Sequence, residues 1–393
     1  MSRGKRILHV VDWYYPSLGY QEPFLARIEK EDGHDVYVLT SNLVEETTYS
    51  ANKDIFEKKK MVAGQFIEKG VKTIRLPAIR LPMVNAIYLI GLEMVIVKLN
   101  PDIIICHGVS TLSSIRVARL KRHLINIKII FDDHMTFHNT RGGIYNLIYF
   151  LFKKFAMPII LDSSDQMVAI TNETKEFMEH VYGIPGNKVE IIPLGVDTRL
   201  FRNDSIARKQ IRLKYNIKSS EIVFIFVGKI IPAKGVHILV EAALKVMNDY
   251  QNVKVMFVGG SVKNYENFLR KIIDSSEFKD NFIFVSAVPN EELYKYYSVA
   301  DIGVWPLQCS ITMNEAMSCG LPIIISDESG VPEIMGKGNG LTYENGNIKD
   351  LANKMKTLMD TKLREAMASR ARDFANIHDW KHIADRFLAV IGE

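Results

Sequence analysis

Short apolar runs alternate along the chain with longer stretches whose apolar positions recur every three to four residues. The first pattern predicts buried strands, and the second predicts helices that pack on them by one face. In the first half, strands are predicted at Arg6 to Val11, Asp35 to Thr40, Asp102 to Cys106, Ile127 to Phe131, Gln166 to Ile170 and Val189 to Ile192. Helices are predicted near Glu22 to Lys30, Asn85 to Lys98, Thr111 to Leu120, Ile144 to Met157 and Asn172 to Val181. Phe66 to Leu76, with Gly70 between two short β-type runs, reads as a hairpin insert. The pattern restarts with strands at Glu221 to Val227, Val253 to Val258, Asn281 to Phe284, Asp301 to Trp305 and Pro322 to Ile325. Helices accompany them at Val236 to Asn248, Tyr265 to Ser275, Glu291 to Ser298, Thr312 to Cys319 and Lys349 to Met359.

Strands that alternate with helices become parallel strands joined by crossover helices. The fold class is therefore α/β, with two Rossmann-like domains facing each other across a cleft. The charged stretch Arg199 to Lys218 marks the boundary, giving domains at residues 1–200 and 201–375. Leu363 to Phe387 is amphipathic and helical, with Trp380 near a break, and residues 376–393 form a terminal helix. By pattern alone that helix reads as an extra helix on the second domain.

A length of 393 residues, 47% hydrophobic and 24% charged, suits two ordinary globular domains. A net charge of +5 is weakly favourable to anionic ligands or an acidic lipid surface. No Lys/Arg-rich run with interleaved aromatics points to nucleic acid. Three scattered cysteines imply reduced thiols and a cytoplasmic protein. The apolar segments are too short or too interrupted to cross a membrane. Ile144 to Met157 is apolar almost all round and carries Lys153 and Lys154. It reads as a helix buried against its sheet, with a peripheral position at a membrane surface as the alternative.

Candidate chemistry gathers after the predicted strands, where open α/β sheets bind ligands. Ile302 to Ser326 reads as strand, polar loop, helix and strand, with Gly320 as the C′ residue of the helix. Thr312-Met-Asn-Glu315 fits a capping box, with Thr312 as N-cap and Glu315 at N3, so the motif taken alone favours a structural role for Glu315 over a ligand role. Gly228, Lys229, Lys234 and Gly235 place two ammonium groups at a helix start, a site suited to a diphosphate or else a solvated loop. Gly19, after the first strand, lies where a turn can aim backbone N–H groups at an oxyanion, although a plain turn has the same pattern. His134 ends a strand beside Asp132 and Asp133, which can fix its tautomer. No Asp-x-Asp pair offers a site for a phosphate-bridging metal, and no Gly-x-Gly-x-x-Gly supports a dehydrogenase.

Taken in order, these stretches resemble the retaining glycosyltransferases of family four. The resemblance rests on Glu315-Ala-Met-Ser-Cys-Gly-Leu-Pro322, Gly228-Lys229 with Lys234-Gly235, Tyr14-Tyr-Pro-Ser-Leu-Gly19, Pro193-Leu-Gly-Val-Asp197 and Ser329-Gly-Val-Pro-Glu333. It implies a GT-B fold whose terminal helix packs on the first domain. The implied activity moves a sugar from a nucleotide-diphosphate sugar to a hydroxyl acceptor, with retention and without metal or cofactor. The acceptor would be a glycan, a lipid-linked molecule or a small molecule. Lys229 and Lys234 would hold the diphosphate, Glu315 the ribose, and Ser310, Ile311, Thr312 and His134 the sugar. Asp133 would meet the acceptor hydroxyl, and Val258-Gly-Gly260 and Ser286 to Pro289 would surround the base. Leu307 stands where the family has a first Glu, and Lys229 where it usually has Arg. Leu307 leaves a nucleotide-sugar-binding protein without turnover as the alternative.

Overall fold

The computed structural model describes residues 4–51, 56, 58–81, 86–124, 126–137, 143–307, 310–327, 332–335 and 338–392. Gln308 and most of the Ser329 to Glu333 stretch lie outside those residues.

The first sheet contains β1 (Arg6–Val11), β2 (Asp35–Ser41), β3 (Gly64–Glu68) and β4 (Val71–Leu76). A two-stranded hairpin, β5 (Ala78–Leu81) with β6 (Ala86–Leu89), stands apart from it. The sheet continues with β7 (Ile103–His107), β8 (Lys128–Asp133), β9 (Gln166–Ala169) and β10 (Val189–Ile191). Its order is β10-β9-β8-β7-β1-β2-β4-β3, and every neighbouring pair is parallel except β3 with β4. The hairpin insert is therefore an edge of the main sheet, and Gly70 turns it at a φ of 85°. The second sheet holds β11 (Ile222–Val227), β12 (Val253–Val258), β13 (Phe282–Val285), β14 (Ile302–Trp305), β15 (Ile323–Ser326) and β16 (Gly340–Tyr343). Its order is β13-β12-β11-β14-β15-β16, parallel throughout. Both orders reverse beside the first strand, at β1 and β11, which are the switch points where such sheets bind ligands.

One face of the first sheet has its own core, centred on Leu8, Val10, Ile104, Phe131 and Met167. The opposite face shares a continuous apolar core with the second domain, joined through Trp380 and Phe387. The helix Trp380–Ala389 lies on the helix Gln21–Glu31, and Trp380 stacks on Phe24 with ring centres 5.4 Å apart. Beside this crossing, the Val196 backbone N–H donates to the His378 carbonyl at 2.9 Å and the Trp380 N–H donates to the Val196 carbonyl at 3.0 Å.

Three expectations are corrected. The predicted helix at Asn85 to Lys98 is the strand β6, a turn at Gly91 and the shorter helix Leu92–Leu99. Gly91 adopts a φ of 84°, which breaks the helical run, and Ile87 and Tyr88 pair with the strand before them. The strand β16 was not expected. The helix Ile144–Leu151 is not buried all round: it passes through a π-turn, Phe152–Ala156, into Met157–Ser163 and leaves a stripe of apolar side chains in solvent. Leu147, Phe150 and Phe155 are 56%, 58% and 62% exposed.

Candidate donor and acceptor cavities

The carboxyl edges of the two sheets enclose a cavity of about 410 Å3. On the second-domain side it is lined after β11 by Gly228, Lys229 and Lys234, and after β12 by Gly259 and Gly260. Ala287 and Val288 follow β13, and Ser310, Ile311 and Thr312 open the helix Ile311–Ser318. The other wall is Ser17 to Gln21 with His134. Glycine at 259 is dictated by packing, because a Cβ there would lie 2.1 Å from the Gly228 carbonyl oxygen.

Lys229 reaches across the cleft, its Nζ donating to Thr48 Oγ1 at 3.0 Å. Lys234 ends a short 3-10 turn, Pro232–Lys234, directly before the helix Val236–Met247. Lys234 at that helix start, with Lys229 on the same wall, gives the cavity a positive potential suited to an anionic ligand. Leu307 packs away from the cavity: a Cβ on Gly235 would meet its Cγ at 2.7 Å.

The expected capping box is absent. The helix starts at Ile311 with Ser310 as its N-cap, so Met313 takes the N3 position and Glu315 is two positions too deep to reach back to the cap. Thr312 Oγ1 lies 3.0 Å from both the Val227 carbonyl and Ser310 Oγ, and it accepts from Trp305 Nε1 at 3.0 Å. Its hydroxyl is thereby committed to joining the ends of β11 and β14. Glu315 is buried and does not line the cavity. Its carboxylate accepts from Asn290 Nδ2 at 2.7 Å and from the Tyr297 hydroxyl at 2.8 Å. Burial pushes its pKa up to about 7, against the lowering effect of those two bonds. Asn290 is the residue of this group that faces the cavity. The turn carrying Gly19 closes over it, and the Asn290 backbone N–H donates to the Ser17 carbonyl at 3.1 Å. A Cβ at Gly19 would lie 2.4 Å from Asn290 Nδ2, so only glycine admits this approach of the two domains.

His134 and Tyr20 line this cavity and a second one of about 530 Å3 that runs into the first domain. Trp13, Glu22, Glu45, Thr48, Ser110 and Asp133 line the second cavity. The two carboxylates beside His134 point in different directions. Asp133 accepts from the Met135 and Val109 backbone N–H groups at 2.7 and 3.1 Å, and burial pushes its pKa up to about 6. Asp132 is the partner of His134, with Oδ2 at 3.4 Å from Nε2. Desolvation disfavours the His134 imidazolium, but the Asp132 carboxylate outweighs it and holds the pKa up at about 9. The His134 side chain is 37% exposed.

Asn290 escaped the sequence reading, and Gln21 and Glu22 entered it only as the end of the loop after β1, without roles of their own. Asn290 follows Val288-Pro289 in a short turn that carries no signal of its own. Gln21 and Glu22 begin a helix, where polar residues are expected anyway. Among the described residues, no group of three or more His, Cys, Asp or Glu side chains is arranged to hold a metal ion.

Comparison with known proteins agrees with this architecture. Residues 25–200 match the family described as Glycosyltransferase Family 4, and residues 207–374 match Glycosyl transferases group 1. Spore coat protein SA of Bacillus subtilis is 25% identical over 59% of this chain and 66% of its own length. The phosphatidylinositol N-acetylglucosaminyltransferase GPI3 subunit of Saccharomyces cerevisiae is 23% identical over 98% of this chain and 82% of its own. A GDP-mannose-dependent alpha-(1-6)-phosphatidylinositol monomannoside mannosyltransferase of Mycobacterium tuberculosis is 25% identical over 54% of this chain and 57% of its own. Sucrose-phosphate synthase from Thermosynechococcus elongatus superposes with a TM-score of 0.74 at 18% identity, over 98% of each chain. The Anabaena protein HepE, solved in complex with UDP and glucose, superposes at 0.73 and 17% identity, over 99% of this chain and 100% of its own. The chain therefore belongs to the family 4, group 1 glycosyltransferases and has their GT-B fold.

Proposed function

We propose that the protein transfers a sugar from a nucleotide-diphosphate sugar to a hydroxyl acceptor with retention of configuration. The observation that carries this reading is the 410 Å3 cavity, whose second-domain wall combines close-packed glycine turns, Lys229, Lys234 and two helix starts. Lys229 and Lys234 hold the diphosphate, and Gly259, Gly260, Ala287 and Val288 pack around the base. Ser310, Ile311 and His134 face the sugar, while Thr312 and Glu315 act through the wall they brace. Glu315 reaches the ribose only through Asn290 or after the Gly19 turn lifts. The bond from the sugar to the diphosphate breaks, and the bond to the acceptor oxygen forms on the same face. The acceptor proton passes to the leaving phosphate oxygen, so no protein nucleophile takes part. No cofactor and no metal enters, since the lysines offset the charge of the leaving group.

The acceptor occupies the 530 Å3 cavity beside His134. Its described charged lining consists of Asp12, Glu22, Glu45 and Asp133 with two histidines. Carboxylates accept hydrogen bonds from hydroxyl groups and repel phosphate, so the reacting end of the acceptor is an uncharged sugar or polyol, free or lipid-linked. The exposed stripe of Leu147, Phe150 and Phe155 beside Lys153 and Lys154 suits an anionic membrane surface. Among the described residues no helix is long and apolar enough to cross a membrane. The protein then works from the cytoplasmic side as a peripheral enzyme.

Mass spectrometry of the purified protein with a panel of nucleotide sugars, in excess EDTA, tests the reading. Hydrolysis or transfer of at least one donor is expected. Lys229→Ala and Lys234→Ala should each weaken nucleoside-diphosphate binding by roughly 1.5–3 kcal/mol, the range for hydrogen bonds to charged groups. Nucleotide binding without turnover of any donor would leave a binding protein instead.

A further inference from the structure

A row of buried ionisable side chains leads from the core of the first domain to His134. Glu29 on the helix Gln21–Glu31 places Oε2 2.6 Å from His9 Nε2. His9, in β1, places Nδ1 2.9 Å from His107 Nε2 at the end of β7. His107 Nδ1 is 3.0 Å from Asp132 Oδ2 at the end of β8, and Gln21 Nε2 donates to the same oxygen at 2.7 Å. His9, Glu29, His107 and Asp132 are all buried. The two imidazole planes lie 5° apart with centres 5.3 Å apart. Since their nearest nitrogens are 2.9 Å apart, the rings meet edge to edge, in the geometry of an N–H···N hydrogen bond.

Counting protons constrains the charge of this row. Each of the three gaps, Glu29–His9, His9–His107 and His107–Asp132, needs one proton, because two lone pairs facing each other at such distances repel. Two neutral imidazoles supply only two, and an ionised carboxylate supplies none. A third proton must therefore be held within the row.

We propose that His9 and His107 share this extra proton between the Glu29 and Asp132 carboxylates, and that the charged pair tunes His134 through Asp132. Glu29, His9, His107 and Asp132 are then positioning residues for His134. The Asp132 carboxylate, 3.4 Å from Nε2, acts on His134 by its charge, and His134 lines both cavities. Other charges act on the same groups: Glu22 from the helix Gln21–Glu31 bears on both His107 and His134, and Asp133 from β8 bears on His134. His107 and His134 flank one carboxylate as two cations and repel each other. The link to turnover rests on the proposed role of His134 beside the donor sugar, whereas the proton count does not.

Glu29→Gln provides the test. A glutamine amide donates to His9 and so supplies the third proton, which leaves every gap filled with both imidazoles neutral. The variant should fold as the wild type does. The negative charge removed is farther from His134 than the positive charge removed, so His134 should hold its proton to higher pH. The expected rise is roughly one pH unit, the scale set by one charge across a protein interior of effective dielectric near 20. Asp132→Asn should move it in the opposite direction. Imidazole nitrogen NMR of the full chain, with resonances assigned through single-histidine substitutions, reads both quantities. In the wild type the His9–His107 pair should carry one cation at neutral pH, and in Glu29→Gln none. Two neutral rings in the wild type, an unmoved His134 midpoint in Glu29→Gln, or failure of that variant to fold would each overturn the proposal. If donor turnover is found, its alkaline limb should rise with His134. Absence of all turnover would count against the proposed function and leave the NMR result standing on its own.

Discussion

Glu315 accepts two hydrogen bonds in a buried pocket, yet its pKa is pushed up from 4.5 to about 7. Between these values the folded chain binds a proton that the unfolded chain has released. The stability this group contributes is complete below about pH 4.5 and is lost as pH rises to about 7. The loss amounts to about 3 kcal/mol, at 1.36 kcal/mol per unit. Glu315→Gln keeps a partner for both Asn290 and Tyr297 and does not titrate. Denaturant unfolding of the two proteins at pH 5 and pH 8 should show the variant gaining most of that difference on the wild type at the higher pH; parallel changes would mean that the carboxyl is not perturbed. The sequence pointed at Glu315 but misassigned its neighbours. Its partners lie 18 and 25 residues away and reach it only through the fold. His134 was legible for the opposite reason, since its partner Asp132 lies two residues away.

The helix from Ile144 shows what an apolar pattern alone leaves open. A run that is hydrophobic all round predicts burial, and Phe152, Ala156, Met157 and Ile160 are indeed buried. The π-turn shifts the register within the run, and Leu147, Phe150, Leu151 and Phe155 emerge on the solvent side. Replacing Leu147, Phe150 and Phe155 together by Ser should abolish sedimentation with anionic phospholipid vesicles while leaving donor hydrolysis in solution unchanged. Equal binding of wild type and variant would place any membrane contact elsewhere. Strands were more legible than helices here: β1 and β12 run from first to last residue as their apolar runs do. The segment before Leu92 misled because a β-type run, a glycine and a helix follow one another without a polar break. The strand β16 was hidden in Gly340 to Tyr343, which has only one fully buried side chain.

The two sheets are held together by more than the cavity between them. Trp380 is buried against Phe24, and a Cβ on Gly195 would lie 2.6 Å from its indole ring, so the second crossing of the chain is pinned to the first. Trp380→Ala should cost about 3–5 kcal/mol, as large aromatic truncations in cores do. Hydrogen exchange should show the loss first in the helix Gln21–Glu31; protection lost only in the second sheet would mean that Trp380 belongs to that domain alone. The division into two α/β arrays could be read from strand and helix alternation, whereas this pairing of distant segments was expected only through the family resemblance, because periodicity carries no record of which apolar faces meet. Lys381 bonds to Asp32 across 349 residues of sequence. During synthesis the surface around Phe24 is made long before the Trp380 segment that covers it, since the two meeting segments are separated by 349 positions at Lys381 and Asp32. Until then the nascent first domain presents an apolar face to solvent, an opening for chaperones and for aggregation alike.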